Sequence, residues 1–253
     1  MSNPIPDSFR DEEELDEFMT RPSVSLVNAV RAFPKRLLVL GAGGKMGPSL
    51  AVRAARAAGV AKHDMTVTAV SRFSDSASRA WLNARGVETV PCDLMDRRQT
   101  ESLPDADAIV YLVGRKFGTS EHPDLTWAIN TIPVVNAVDR YAGIPFVALS
   151  TGCVYPFVDA AGAGSNESDE LTPIGEYANA CVARERLFEY LSRKTGTPVV
   201  QVRLNYALDL RYGVLVDIAR AIVEEGRVDV SMGWFNAIWQ GDANDAILRL
   251  IPH

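Results

Sequence analysis

The segment RLLVLGAGGKMG, residues 36–47, restricts the fold more than any other part of the chain. A continuous apolar run enters a glycine turn, and GPSLAVRAARAAG behind it has the apolar spacing of a helix. Each glycine answers a separate demand. Gly41 permits a tight turn, Gly44 lets the backbone approach a pyrophosphate held at the positive helix N-terminus, and Gly47 allows close helix–strand packing. Glycine spacing alone is a weak signal, equally compatible with a turn that holds no ligand. Its place between a strand and a helix, at the head of a repeated alternation, makes it a much stronger one.

That alternation continues through the chain. MTVTAVSR, VETVPCDL, DAIVYLVG, PFVALSTG and PVVQVRLNY read as strands. SASRAWLNARG, DLTWAINTIPVVNAVDRYAG (bent at Pro133) and GEYANACVARERLFEYL read as the helices between them. Strands apolar at consecutive positions, alternating with helices, predict an α/β fold: a Rossmann-type doubly wound parallel sheet covered on both faces. GVLVDIARAIVEEG and DANDAILRLI add two further helices. Before the sheet, SFRDEEELDEFM predicts a helix with Ser8 as its N-cap and acidic residues in the first turn, where the helix dipole favours them. Leu26, Val27, Val30 and Phe33 then share one helical face, suited to packing on the main domain or to a dimer contact. The expected division is a helical extension over 1–35, a dinucleotide-binding domain over 36–205 and a small substrate lobe over 206–253.

Composition narrows the function classes. The 253 residues are 47% hydrophobic with a net charge of −6, which fits a globular domain and argues against broad nucleic-acid binding or an anionic membrane surface. The apolar runs are too short to span a bilayer, and the acidic N-terminus lacks an apolar signal core. Cys92, Cys153 and Cys181 form no CxxC pair and no metal-ligand spacing with histidine. No metal, no nucleic acid and no membrane partner are expected, and sparse, odd cysteines suggest reduced thiols in a cytoplasmic protein.

The second strand ends in Ser71 and Arg72 rather than in the acidic residue that binds ribose hydroxyls in NAD-preferring sites. A hydroxyl and a guanidinium suit the 2′-phosphate of NADP, so NADP(H) is favoured over NAD(H), the alternative being a solvated surface arginine. Asp93 after the third strand reads either as a contact to the adenine edge or as a loop or helix-capping aspartate. Arg115 and Lys116 follow the fourth strand at the ligand-binding edge, where a plain surface role is the alternative to meeting a phosphate or an acidic substrate.

Taken in order, GAGGKMG, CDL, WAINTIPVVNAV with Asn130, ALSTGCVYP and NESDELTPIGEYANAC make the chain resemble the extended short-chain dehydrogenase/reductase family. That group holds NAD(P)-dependent sugar-nucleotide epimerases and dehydratases, and the resemblance runs from about residue 36 to about residue 250. It implies that Thr151 orients a substrate hydroxyl or carbonyl, with Ser150 beside it, and that Tyr177 exchanges a proton with the substrate. It further implies that a dinucleotide lies along Gly41, Gly44, Lys45, Met46, Gly47, Ser71, Arg72, Asp93, Leu94, Val113, Gly114 and Cys181. Arg115, Ser150 and Asn205 would face a small-molecule substrate, Asn205 standing one position early in the family's Arg-x-x-Asn. A homodimer is the arrangement usual in the family.

The chain departs from the pattern in three ways. Cys181 stands where the family keeps a lysine that holds the nicotinamide ribose and lowers the tyrosine pKa. Pro156 replaces a glycine, and the segment after the sheet is shorter than the usual substrate domain. A cysteine supplies no charge and suits the core. Arg184 follows Tyr177 by two turns, about 10 Å of helix rise, and reaches the phenol only if its side chain folds back. Three functions are therefore open: an NADP-preferring oxidoreductase of the epimerase/dehydratase type, a catalytically degenerate cofactor-binding sensor or partner-binding protein, and an epimerase-like cycle on a tightly held dinucleotide.

Overall fold

In the computed structural model, which describes residues 6–251, six strands form one parallel sheet. They are β1 (Arg36–Leu40), β2 (Thr66–Ser71), β3 (Glu88–Pro91), β4 (Ala108–Tyr111), β5 (Phe146–Thr151) and β6 (Val199–Leu204). Their order is β3-β2-β1-β4-β5-β6, so the chain reverses its direction of travel across the sheet between β1 and β4. In such sheets the crevice for ligands opens at that reversal, beyond the carboxyl ends of the strands.

The strands are apolar at consecutive positions because both faces are covered. Leu37 and Val39 of β1 point into one core, with Leu50, Ala54 and Val67. Leu38 and Leu40 point into the other, with Ile109, Tyr111, Val134 and Phe188. This is the two-residue period of a strand, with a hydrophobic layer waiting on each side.

The first face is covered by α3 (Gly47–Ala61), together with α2 (Val24–Val30) and α9 (Gln240–Arg249). The second is covered by α6 (Pro123–Arg140) and α7 (Gly175–Thr195). Helix α6 runs as one element through Pro133. Helix α4 (Ser76–Asn83) lies between β2 and β3.

The N-terminal arm consists of α1 (Glu12–Thr20) and α2. Helix α1 starts later than the sequence suggests: its cap is Asp11, whose carboxylate accepts from Glu14 N, and not Ser8. Aspartate is as good a cap as serine, and here it stands directly before the acidic first turn. Leu26, Val30 and Phe33 are buried as expected, while Val27 is only partly so. A charged cluster fixes the arm. Arg53 Nε lies 3.3 Å from Asp245, both nearly inaccessible, and Arg53 Nη1 donates to Met19 O at 3.0 Å. Asp245 also accepts from Ser23 N at 3.1 Å and Ser23 Oγ at 2.8 Å.

After β6 the structure is more open. Strands β7 (Tyr206–Leu208) and β8 (Ala237–Trp239) pair in parallel. The helix expected over 213–226 is α8 (Val214–Arg220) followed by a π-helical turn, Ala221–Glu225, and none of these residues is buried. A widened turn of this kind breaks the 3.6-residue period on which a single helix was expected.

Candidate active site

Gly41 takes φ +83°, and a Cβ there would stand 2.8 Å from Val113 N, at the end of β4. A Cβ on Gly47 would stand 2.5 Å from the backbone of Ala42. Both positions are closed to any side chain, the first by conformation as well as by space. Gly44 has nothing nearer than Gly41 O at 3.6 Å, which leaves its backbone open to a ligand. Gly41 N and Ala42 N both donate to Val70 O, tying the turn to β2. At the start of α3, Met46 makes no side-chain capping bond and Pro48 has no N–H, so Gly47 and Ser49 supply the first-turn N–H groups for an anion. This set fits the pyrophosphate of a dinucleotide.

Around the turn, Ser71 lies directly beneath Gly43, and Arg72 is exposed. The Lys45 ammonium stands 4.4 Å from the ring centroid of Tyr212 and 5.0 Å from that of Phe117. The Tyr212 hydroxyl lies 3.0 Å from Lys45 O and 2.9 Å from Gln240 Oε1. Asp93 accepts from Met95 N at 3.0 Å, within its own loop. Helix α5 (Arg97–Glu101) is capped by Asp96 instead, so the capping alternative for Asp93 is excluded. Leu94 is buried, and its carbonyl accepts from Asn136 at 2.9 Å.

The second half of the site is built by β5 and α7. Thr151 ends β5, is nearly buried, and accepts from Cys153 N at 3.2 Å to open a 3-10 turn, Gly152–Val154. Tyr177 lies half-buried in the first turn of α7. Burial pushes its phenol up from the ordinary value and the neighbouring Cys181 adds to this, while the Arg184 charge and the Thr151 hydroxyl act the other way. Cys181 is fully buried, and burial likewise pushes its thiol up.

The Arg184 guanidinium is also buried. Its Nη1 donates to Val113 O at 3.1 Å and to Asn130 Oδ1 at 2.8 Å, and Nη2 lies 3.5 Å from Cys181 Sγ. Asn130 is held in turn by donating to Thr126 O at 2.8 Å and Arg115 O at 3.1 Å. A Cβ on Gly114 would stand 2.7 Å from Arg184 Nη1. The side chain does fold back, because helix side chains lean toward the N-terminus and arginine has the length to use that direction.

Ser150 donates to Glu185, which is almost wholly buried. Arg203 meets the same carboxylate through Nη2 at 2.8 Å and Nε at 3.1 Å, and donates to the Tyr155 hydroxyl at 2.8 Å. Asn205 is exposed, and its side chain fills the space above Gly152. Arg115 Nη2 donates to Gly118 O at 3.3 Å in the loop after β4. Of the residues expected to face substrate, Ser150 and Asn205 thus stand beside Thr151, and Arg115 stands in the loop after the neighbouring strand β4.

Sequence reasoning missed Glu185 and Tyr155 and left Arg184 at a distance. One signal was present. Ala178, Cys181, Arg184, Glu185 and Phe188 fall on the inward stripe of α7, so two charged residues occupy core positions.

The profile of the NAD-dependent epimerase/dehydratase family matches residues 37–207, more than half of the chain. The chain belongs to that family. Its fold is shared by a UDP-glucose 4-epimerase from Thermotoga maritima solved with UDP-glucose, at 17% identity and TM-score 0.69, covering 84% of this chain and 72% of that one. An L-threonine dehydrogenase from Clostridium difficile matches at 18% identity and TM-score 0.68, covering 85% and 70%. RMD from Pseudomonas aeruginosa, solved with NADPH, matches at 22% identity and TM-score 0.65, covering 87% and 74%. At these identities the likeness shows the fold. No curated protein matches the sequence significantly. As an epimerase/dehydratase family member, the chain has a nicotinamide dinucleotide as its implied cofactor, and the glycine turn described above fits one. Among the described residues, no helix is long and apolar enough to cross a membrane.

Proposed function

We propose that this family member is an NADP(H)-favouring oxidoreductase or epimerase acting on a carbonyl or hydroxyl of a small, sugar-derived molecule. The observation that carries this reading is the approach of Thr151 at the end of β5 to Tyr177 in the first turn of α7, beside a glycine turn shaped for pyrophosphate. When bound, the dinucleotide supplies or accepts hydride at the substrate carbon. The chain's own residues do the rest. Thr151 orients the substrate oxygen, and Tyr177 gives it a proton during reduction or takes one during oxidation. Burial favours the neutral phenol of Tyr177, the form that donates a proton when a carbonyl is reduced. Ser150, tied to Glu185 and through it to Arg203, fixes the strand end that carries Thr151.

The preference for NADP(H) rests on Ser71 and Arg72, which end β2 where NAD-preferring sites carry an acidic residue. Solved proteins of this fold bind either form: one is in complex with NADPH, and another, a short-chain dehydrogenase/reductase superfamily protein from Agrobacterium tumefaciens, has NAD bound. The three-part division at 1–35, 36–205 and 206–253 belongs to the same reading.

The test begins with calorimetric titration by NADPH and by NADH, followed by a screen of sugar-derived aldehydes and ketones for NADPH oxidation. With a turned-over substrate in hand, Tyr177→Phe should lower kcat by about 10²–10⁴-fold, the usual worth of a positioned acid. Undiminished turnover in that variant would remove Tyr177 from the chemistry. A second reading, a dinucleotide-binding module without turnover, is favoured by Cys181. Tight NADPH binding with neither NADPH oxidation nor an epimerised product across the screen would select it.

A further inference from the structure

Arg184 is an odd residue to find where it lies. Its guanidinium is nearly inaccessible, yet it pairs with no carboxylate among the described residues. Its acceptors are a backbone carbonyl, an amide oxygen and a thiol sulfur, all neutral, and its Nε has no partner. The adjacent carboxylate, Glu185, is committed to Arg203 and Ser150. A buried charge without a counter-charge is costly, and holding α7 to the end of β4 does not by itself call for a cation.

The position supplies a reason. Cys181 lies one helical turn from Tyr177 and close to one turn from Arg184, and its small thiol meets the guanidinium at 3.5 Å on one side and the phenol on the other. Gly114 is shaped to the same purpose, since any side chain there would displace Nη1. We propose that Arg184 is the cation that serves Tyr177 in place of the lysine replaced by Cys181, a positioning residue that acts through the phenol and touches no reacting atom. This rests on the reading of Tyr177 as the proton-transfer group.

As a carbonyl is reduced, its oxygen takes the Tyr177 proton, and a phenolate is left until a proton returns from solvent. That phenolate is the missing counter-charge for Arg184. The other groups facing this pair are Thr151 on β5, Cys153 on the 3-10 turn, Cys181 and Glu185 on α7, and the buried Tyr111 on β4. Arg184 is the cation among them.

The test reads the phenol directly and needs no substrate. 3-Nitrotyrosine is placed at position 177, where its ionisation falls near neutral pH and is followed by visible absorbance. Replacing Arg184 by Met should raise the midpoint by about one pH unit or more, the effect of removing a nearby opposite charge. Arg184→Lys should keep the midpoint near that of the unmodified background. An unmoved midpoint in an Arg184→Met protein with an intact circular dichroism spectrum and a cooperative melt would overturn the proposal. If Arg184→Met does not fold, the double variant Arg184→Met/Cys181→Lys returns the charge one turn earlier, and Arg184→Gln removes it while keeping polar contacts. The proposal then requires Arg184→Gln to stand above the protein that keeps Arg184 and the double variant to fall back toward it, and an unmoved midpoint in Arg184→Gln overturns it. Turnover by Tyr177→Phe judges the catalytic reading separately, so failure of one does not imitate failure of the other.

Discussion

The glycine turn and the start of α7 meet at one sheet edge but hold their chemistry by different means. In the turn the working parts are backbone: N–H groups at the head of α3, and glycines whose missing side chains keep Val113 and Ala42 at close range. In α7 the working parts are side chains, and one of them has been exchanged. A backbone site has no substitute for its geometry, because the clash created at Gly41 or Gly47 falls on other backbone. A charge is more portable. A long side chain starting a turn further on, passing over a cysteine, can bring it back to nearly the same place.

The sharpest way to break this contrast is Gly41→Ala. It forces a side chain into the left-handed region and against Val113 N, and should cost about 1–3 kcal/mol from backbone strain alone. Thermal unfolding would read the stability loss, and titration with NADPH should find binding abolished or severely weakened. Normal binding by this variant would mean that the turn tolerates side chains and that the contrast is false.

A smaller effect is expected at the rim, where the turn region does rely on a side chain. Arg72→Ala should weaken NADPH by roughly 10–100-fold, the worth of one charge-assisted hydrogen bond, and leave NADH nearly unchanged. Equal losses for both would show that Arg72 does not read the 2′-phosphate.

The smallest effect concerns rates of thiol modification. Cys181 and Cys92 are buried with thiols pushed up by burial, whereas Cys153 is exposed. At pH 8 iodoacetamide should therefore modify Cys153 first and spare Cys181 in the folded protein, as followed by mass spectrometry of digested samples. The thiolate is the reactive form, and a raised thiol has little of it at that pH. Early loss of Cys181 would place it in contact with solvent and weaken its role as a neutral spacer under Arg184.

Much of the framework was legible in the sequence because it depends on short-range rules. Leu37–Leu40 are apolar at every position since both faces of β1 are covered, and such a run cannot be mistaken for a half-exposed strand. Gly41 and Gly47 were legible for the same reason: each answers a local demand. The cap of α1 was misplaced because two good capping residues lie close together, and the choice between Ser8 and Asp11 depends on where the helix docks. The electrostatics of α7 were not legible. Arg184 and Glu185 are ordinary charged residues until Asn130, Val113 and Arg203, distant in sequence, define their surroundings. The π-helical turn after α8 shows the converse limit, a stretch with no burial to fix its period.

The cluster around Arg53 has a consequence for how the chain is made. The Ser23–Asp245 hydrogen bonds join residues 222 positions apart. Closing so large a loop carries an entropic cost that only an already ordered sheet offsets. Synthesis proceeds from the arm toward α9, so the arm can settle on α3 early, but Arg53 beneath it waits for its carboxylate until α9 has emerged. Helix α9 is thus the element that neutralises a charge carried by α3, and until α9 has emerged the nascent chain holds that cation without its carboxylate.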